Sequence, residues 1–230
     1  MTDRLAELVA AHGVAPEPLK QILELLAADP TAPTTVREPE QAVDVHIADS
    51  LSGLDLEAVR QASAIADLGA GAGFPGLVLA AALPHAHVAL VESVGRKCAF
   101  LERAIAAAGL GNATVVCARA EEWRAGLGTL DLVTARALAP LAVIAEYAAP
   151  LLRVGGSLVA WKGARDAAEE ADAAAAARQL GLQRVEVRHV RPFPAAEHRH
   201  LHLYSKVEDT PPRFPRRAGS ARKRPLGRST

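Results

Sequence analysis

Aromatic residues are scarce. Phe, Trp and Tyr together make up 3% of the 230 residues, too few for a surface of stacked aromatic platforms for single-stranded nucleic acid. Cysteine is scarcer still. Cys98 and Cys117 are the two copies and form no Cys-x-x-Cys pair, which excludes a disulfide scaffold or a cysteine-rich zinc site and suits a reducing cytosol. A charge excess is also missing, with 26 basic against 26 acidic side chains, so a generally polycationic protein is excluded. The longest apolar run, Gly76 to Leu83, falls far short of the ~20 residues a membrane-spanning helix needs. No apolar segment follows the first residues, so no signal peptide is expected. These absences predict a soluble, cytoplasmic protein, expected to be a monomer.

What is present is a core: 50% of the residues are hydrophobic, which excludes wholesale disorder. Leu19, Ile22, Leu23 and Leu26 recur at i, i+3, i+4 and i+7, one face of an amphipathic helix. A second helix is predicted from Pro39 to Leu51. From Ser63 short apolar runs alternate with helical patterns. Strands are expected at 64–67, 87–92, 114–117, 130–135 and 157–161, with helices starting near Pro75, over Gly95–Ala108, over Pro140–Leu151 and over Arg165–Leu180. Such alternation implies a mostly parallel sheet with helices on both faces. Two later runs, 183–190 and 200–207, fit an antiparallel edge. The organisation expected is an N-terminal helical cap (1–58), an α/β domain (59–208) and a flexible tail (209–230) that is Pro/Gly/Ser/Arg-rich.

The most informative segment is Asp67-Leu68-Gly69-Ala70-Gly71-Ala72-Gly73-Phe74-Pro75-Gly76. It lies between the first strand and the following helix, where a nucleotide or nucleoside loop belongs. Gly71-x-Gly73-x-x-Gly76 fits a dinucleotide fingerprint, whereas Asp67-x-Gly69-x-Gly71-x-Gly73 resembles motif I of class I methyltransferases. A carboxylate at Asp67 would repel a pyrophosphate and suit the ammonium and sulfonium of S-adenosylmethionine. Glu92 ends the next strand, where an acid accepts ribose hydroxyls in either class.

With these residues in view, the chain resembles the RNA small-subunit methyltransferase G family, also called glucose-inhibited division protein B. The resemblance rests on Thr35-Val36-Arg37, His46-Ile47-Ala48-Asp49-Ser50-Leu51, the glycine loop and Val91-Glu92-Ser93-Val94-Gly95-Arg96-Lys97. It continues through Ala118-Arg119-Ala120-Glu121-Glu122, Thr134-Ala135-Arg136-Ala137, Trp161-Lys162-Gly163 and the tail from Phe214 to Leu226. It implies a class I (Rossmann-like) fold with a seven-stranded sheet, and S-adenosylmethionine-dependent methylation of guanine N7 in the decoding-region loop of bacterial small-subunit ribosomal RNA, alone or within the small ribosomal particle. Donor-site positions implied are Asp67, Gly69, Gly71, Gly73, Phe74, Glu92, Ala120, Glu121 and Arg136. The chain departs from the family in having Ala32-Pro33-Thr34 where an Asn-Leu pair often precedes the Thr, and Glu92 where Asp is common.

The chemistry agrees with the residues. Guanine N7 carries a free lone pair, so methylation needs alignment rather than a general base. No Asn/Asp-Pro-Pro-aromatic motif of the kind used on exocyclic amines follows the fourth strand. Arg136 is expected to position either the donor carboxylate or guanine O6. His46 and Asp49 sit three apart and could share a helix face, and His46 and Lys162 are candidates for RNA contact. His198, His200 and His202 alternate at strand period, but no metal is expected. Thr210–Thr230 holds seven bases and no acids, leaving 19 bases against 26 acids in the rest. Arg213, Arg216, Arg217, Arg222, Lys223 and Arg224 are therefore expected to neutralise RNA phosphates. Two other functions remain open: a nicotinamide-dependent oxidoreductase, and a non-catalytic ribosome-assembly factor.

Overall fold

The computed structural model describes residues 3–227. Helices α1 (Asp3–His12) and α2 (Pro16–Ala28) open the chain, and the periodic face of α2 is buried at Leu19, Ile22, Leu23 and Leu26. The helical stretch 39–51 is not a uniform α-helix. Its middle, Val43–Ala48, is π-helical, flanked by α-helical Pro39–Ala42 and Asp49–Leu51.

Seven strands follow: β1 (Ala64–Leu68), β2 (His87–Glu92), β3 (Ala113–Cys117), β4 (Leu130–Arg136), β5 (Leu152–Lys162), β6 (Leu182–Val190) and β7 (Arg199–Lys206). They form one sheet in the order β3-β2-β1-β4-β5-β7-β6. The first five run parallel, and β7 pairs antiparallel with β5 and β6. The expected fold class is therefore the observed one. Helices α3 (Gly76–Ala82) and α4 (Gly95–Ala108) cover one face, and α5 (Leu141–Ala148) and α6 (Ala167–Leu180) the other. Side chains alternate between two cores at the strand period of two: Ile65, Val88, Leu90 and Leu132 face α3, α4 and the cap, while Ala66, Ala89, Val91 and Val133 face α5 and α6. The chain winds outward from β1 in one direction and from β4 in the other. A crevice results beyond their carboxyl ends, where open α/β sheets bind ligands.

Glu170 of α6 is 8% exposed, with Arg165 and Arg184 converging on its carboxylate. One expectation needs correction. The C-terminal tail is folded over residues 209–227. Phe214 and Ala221 are buried in the α5–α6 core, and Ser220–Lys223 forms a short helix, α7. The two cysteines are joined by a single disulfide between α4 and the end of β3, with Cα atoms 5.8 Å apart. It is one cross-link, not a scaffold. Among the described residues no helix is long and apolar enough to cross a membrane.

Trp161 fastens the cap to the sheet. Its indole nitrogen donates to the Asp49 carbonyl at 2.9 Å, and its ring fills the space a side chain on Gly53 would take. Trp161→Phe removes this donor and leaves the Asp49 carbonyl with the Ser52 hydroxyl as partner, which should lower stability by about 0.5–1.5 kcal/mol in chemical denaturation. An unchanged denaturation midpoint would show that the bond contributes nothing to holding the cap.

Candidate functional site

The glycine loop leaves β1 beneath the crevice. Gly69, Gly71 and Gly73 adopt φ of 65°, 56° and 96°, a left-handed run that side chains rarely tolerate. Gly76 is glycine for a different reason: a Cβ there would collide with Leu90 and Asp67. Asp67 itself was expected to face the ligand, and it does not. It is 1% exposed, with Oδ2 accepting from the Gly76 N–H at 3.0 Å and Oδ1 from the Thr134 hydroxyl at 2.9 Å. The carboxylate turns inward because the first amide of α3 and a hydroxyl on β4 both need an acceptor there. Burial pushes its pKa up to about 6, against the pull of these two hydrogen bonds and of Arg136.

Above the loop opens a cavity of about 420 Å³, within the size range of small-molecule sites. Of the expected donor-site residues, Gly69, Glu92, Ala120 and Glu121 line it, whereas Asp67, Gly71, Gly73, Phe74 and Arg136 lie behind or beside it. Glu92 is 6% exposed. Its carboxylate accepts from Gly71 at 3.2 Å, Ser93 at 2.7 Å and Val94 at 2.9 Å, with the Lys97 ammonium 3.9 Å away. An ionised carboxylate offers about four lone-pair sites, so capacity remains for ligand hydroxyls. At the end of β4, Ala137 takes φ 52°, a strained conformation for a side-chain-bearing residue. This turn lays Leu138 over Gly69, where a Cβ would displace it. Leu138, Tyr147 and Arg222 also line the cavity but went unread in the sequence as donor-site residues. Tyr147 belongs to no motif, and Arg222 looked like part of a tail. A carboxylate at each end, a glycine floor and mixed polar walls fit a nucleoside-bearing ligand such as S-adenosylmethionine.

Beside the cavity stands a second cluster. Arg136 donates to the Val45 carbonyl and to Asp49 Oδ2, both at 2.8 Å, and approaches His46 Nδ1 at 3.3 Å. The guanidinium also lies 5.6 Å from the centre of the Phe74 ring. His46 stacks on Phe74 with centroids 4.4 Å apart and planes within 3°, while its Nε2 lies 3.2 Å from both Thr34 Oγ1 and the Val36 carbonyl. His46 and Asp49 thus do meet, around Arg136. On the far side, Arg199 Nε stands 3.5 Å from Asp49 Oδ1. Desolvation first, and then the charge of Arg136, push the His46 pKa down to about 4 despite the Val36 bond.

Several expected RNA contacts are already engaged. His46 is 6% exposed and neutral near pH 7, so it offers phosphate neither access nor charge. Lys162 pairs with Glu169 at 2.7 Å, because Glu169 reaches from α6 to the end of β5. Arg216 pairs with buried Glu146, and Arg222 rims the cavity. Arg213, Arg217, Lys223 and Arg224 remain exposed. His202 is buried and His200 bonds to the Gly163 carbonyl region at 2.9 Å. Among the described residues no group of three or more His, Cys, Asp and Glu could hold a metal ion.

Comparison with known proteins places this geometry in context. The family described as rRNA small subunit methyltransferase G matches residues 21–201. The chain is similar to the ribosomal RNA small subunit methyltransferase G of Rubrobacter xylanophilus, 43% identical over 196 residues, covering 83% of this chain and 75% of that protein. It is similar to the protein of the same name from Desulfitobacterium hafniense, 39% identical over 196 residues, covering 84% and 81%. Among solved structures it resembles a SAM-dependent methyltransferase from Aquifex aeolicus, with TM-score 0.57 and 15% identity over 83% of this chain and 98% of that one. That likeness bears on the fold alone.

The buried histidines set a pH dependence. For His46, and for His202 whose pKa burial also lowers to about 4, the unfolded chain takes up the proton first as pH falls. Their stabilising contribution is therefore complete above 6.5 and is lost between 6.5 and 4. Asp67, with its raised value of about 6, acts in the opposite direction over roughly pH 4 to 6, but one carboxylate opposes two imidazoles. The denaturation midpoint should rise between pH 4 and 6.5, and the His46 ring resonances should titrate near pH 4. Titration of His46 near 6.5 would contradict its burial against Phe74 and Arg136.

Proposed function

Because the chain belongs to the rRNA small subunit methyltransferase G family, we propose that it transfers the methyl group of S-adenosylmethionine to N7 of one guanine in the decoding-region loop of small-subunit ribosomal RNA. The observation that carries this reading is a coincidence of place. The family match over residues 21–201 contains Gly69 of the glycine loop, Glu92 and Glu121, and these line one cavity at the carboxyl end of the parallel strands.

Bound S-adenosylmethionine would supply a methyl carbon on a sulfonium, from which an attacking lone pair displaces the sulfur in line, leaving the thioether S-adenosylhomocysteine. The chain's own residues provide binding and alignment. Glu92 suits the ribose hydroxyls through its unused lone pairs, and Glu121 suits the adenine amino group. Guanine N7 attacks without first losing a proton, so no general base is required. Neutral His46, its ring nitrogens held by Thr34, Val36 and Arg136, is a spacer and not a proton acceptor. Arg136 is fixed by three partners beside the cavity mouth and retains further N–H donors, which suit guanine O6 while leaving N7 open. Exposed Arg213, Arg217, Lys223 and Arg224 neutralise phosphates around the target, a contact that weakens as salt rises.

The test is methyl transfer from labelled donor to small ribosomal particles from a strain lacking this activity, with N7-methylguanine mapped by chemical cleavage. One labelled guanine in the decoding-region loop is expected. Donor binding without any label in the RNA would overturn the reading and favour a non-catalytic assembly factor. Arg136→Ala should slow methyl transfer by about 10²–10³, the scale of losing one positioned donor, a larger loss than any in donor affinity. A loss confined to donor affinity would move Arg136 from the guanine to the donor.

A further inference from the structure

Residues 211–224 lie outside the stretch matched by the family, and their composition suggests a loose basic tail. Their packing says otherwise. Phe214 and Ala221 are 8% and 1% exposed. Between them Arg216 turns inward, with Nε donating to Glu146 Oε1 at 2.6 Å and Nη2 donating to Glu146 Oε2 and to the Arg224 carbonyl. Glu146 is 3% exposed, so this forked pair is a fastener whose loss would strand a buried charge.

From that fastener the chain runs along the rim of the cavity. The Gly219 N–H donates to Glu121 Oε1 at 2.9 Å, and Arg222 Nη2 donates to the Leu138 carbonyl at 3.0 Å. Arg222 also reaches the Tyr147 side chain. Glu121, Leu138, Tyr147 and Arg222 all face the same cavity. Sequence neighbours point the other way: Arg217 and Lys223 are exposed and form no ion pair among the described residues.

We propose that the C-terminal segment is a wall of the donor pocket, with Arg222 binding the adenosine part of the donor and Arg216, through Glu146, positioning that wall. The inference rests on the donor reading given above. Gly219 occupies one oxygen of Glu121 and leaves the other for a ligand N–H. Arg222 brings a planar cation to the rim, and such a group stacks on the face of a purine as an ammonium cannot. The segment therefore divides its cations between two tasks, donor retention inside and phosphate contact outside.

Binding of S-adenosylhomocysteine to the full-length chain, measured by titration calorimetry, tests the assignment. Arg222→Ala should raise Kd about three- to fivefold, the scale of losing one cation–ring contact at an exposed side chain, with the thermal midpoint unchanged for the same reason. The same loss should appear with 5′-methylthioadenosine, which lacks the amino-acid part, and Arg222→Lys should recover only part of it. Arg217→Ala and Lys223→Ala should leave the donor Kd within about twofold and flatten the salt dependence of RNA binding. Arg216→Ala should also raise the donor Kd; should that variant fold poorly, Arg222→Ala alone decides. Donor affinity unchanged in Arg222→Ala, in a wild-type chain that binds donor, would overturn the wall and leave the methyltransferase reading standing. A wild-type chain that binds no S-adenosylhomocysteine would overturn both.

Discussion

Arg136, held at the carboxyl end of β4 by Asp49, is the constraint on which both halves of the site depend. Asp49 is 3% exposed, and a pair so deeply placed returns its desolvation cost only when every remaining hydrogen-bonding group is satisfied. Three elements meet that demand in part, since Asp49 Oδ1 makes no hydrogen bond among the described residues and has the charge of Arg199 Nε 3.5 Å away in its place. The π-helical stretch offers the Val45 carbonyl and the His46 ring, the glycine loop offers the face of Phe74, and β7 brings Arg199 toward the other oxygen of Asp49. The cap, the loop and the sheet edge are thereby fixed relative to the next residue, Ala137, whose left-handed backbone turns Leu138 over the donor cavity. A charge near the cavity is thus anchored by what surrounds it, and its position is determined to within a hydrogen bond's tolerance.

The same geometry settles the charge of His46. A protonated imidazole stacked on Phe74 and 3.3 Å from a guanidinium would face like charge with little water to screen it. It stays neutral, so the cap contributes shape and hydrogen bonding rather than a second cation. Asp67 shows the complementary case. Its carboxylate is spent on Gly76 and Thr134, tying the glycine loop to β4. An acid in that motif can organise the ligand loop from beneath without meeting the ligand.

How much of this was legible follows from the range of the interactions. The β1–loop–α3 unit was readable because strand period, glycine spacing and helix onset all lie within about a dozen neighbouring residues. The mostly parallel sheet followed from the alternation of strand and helix patterns. The inward turn of Asp67 was not readable, since it depends on Thr134, 67 residues away. Nor was the order of the C-terminal segment. Pro, Gly and Arg without apolar periodicity describe disorder when judged locally, and the Arg216–Glu146 contact spans 70 residues. The π-helical register at 43–48 likewise has no local signature, and it presents the Val45 carbonyl and the His46 ring to Arg136.

Charge shows the same limit of local reading. The chain is neutral overall, with a body in excess of acid and a C-terminal segment in excess of base. Separate regions of opposite sign would ordinarily be read as a surface for partners. Here part of the opposition is consumed within the molecule, as Arg216 neutralises Glu146 and the Gly219 amide meets Glu121. The acids on α5 and after β3 are therefore complements to the C-terminal segment, while Arg213, Arg217, Lys223 and Arg224 keep the outward charge that an RNA phosphate can meet. A basic segment adjoining an acidic body is best judged residue by residue, because burial of the acid decides which cations are left for a partner.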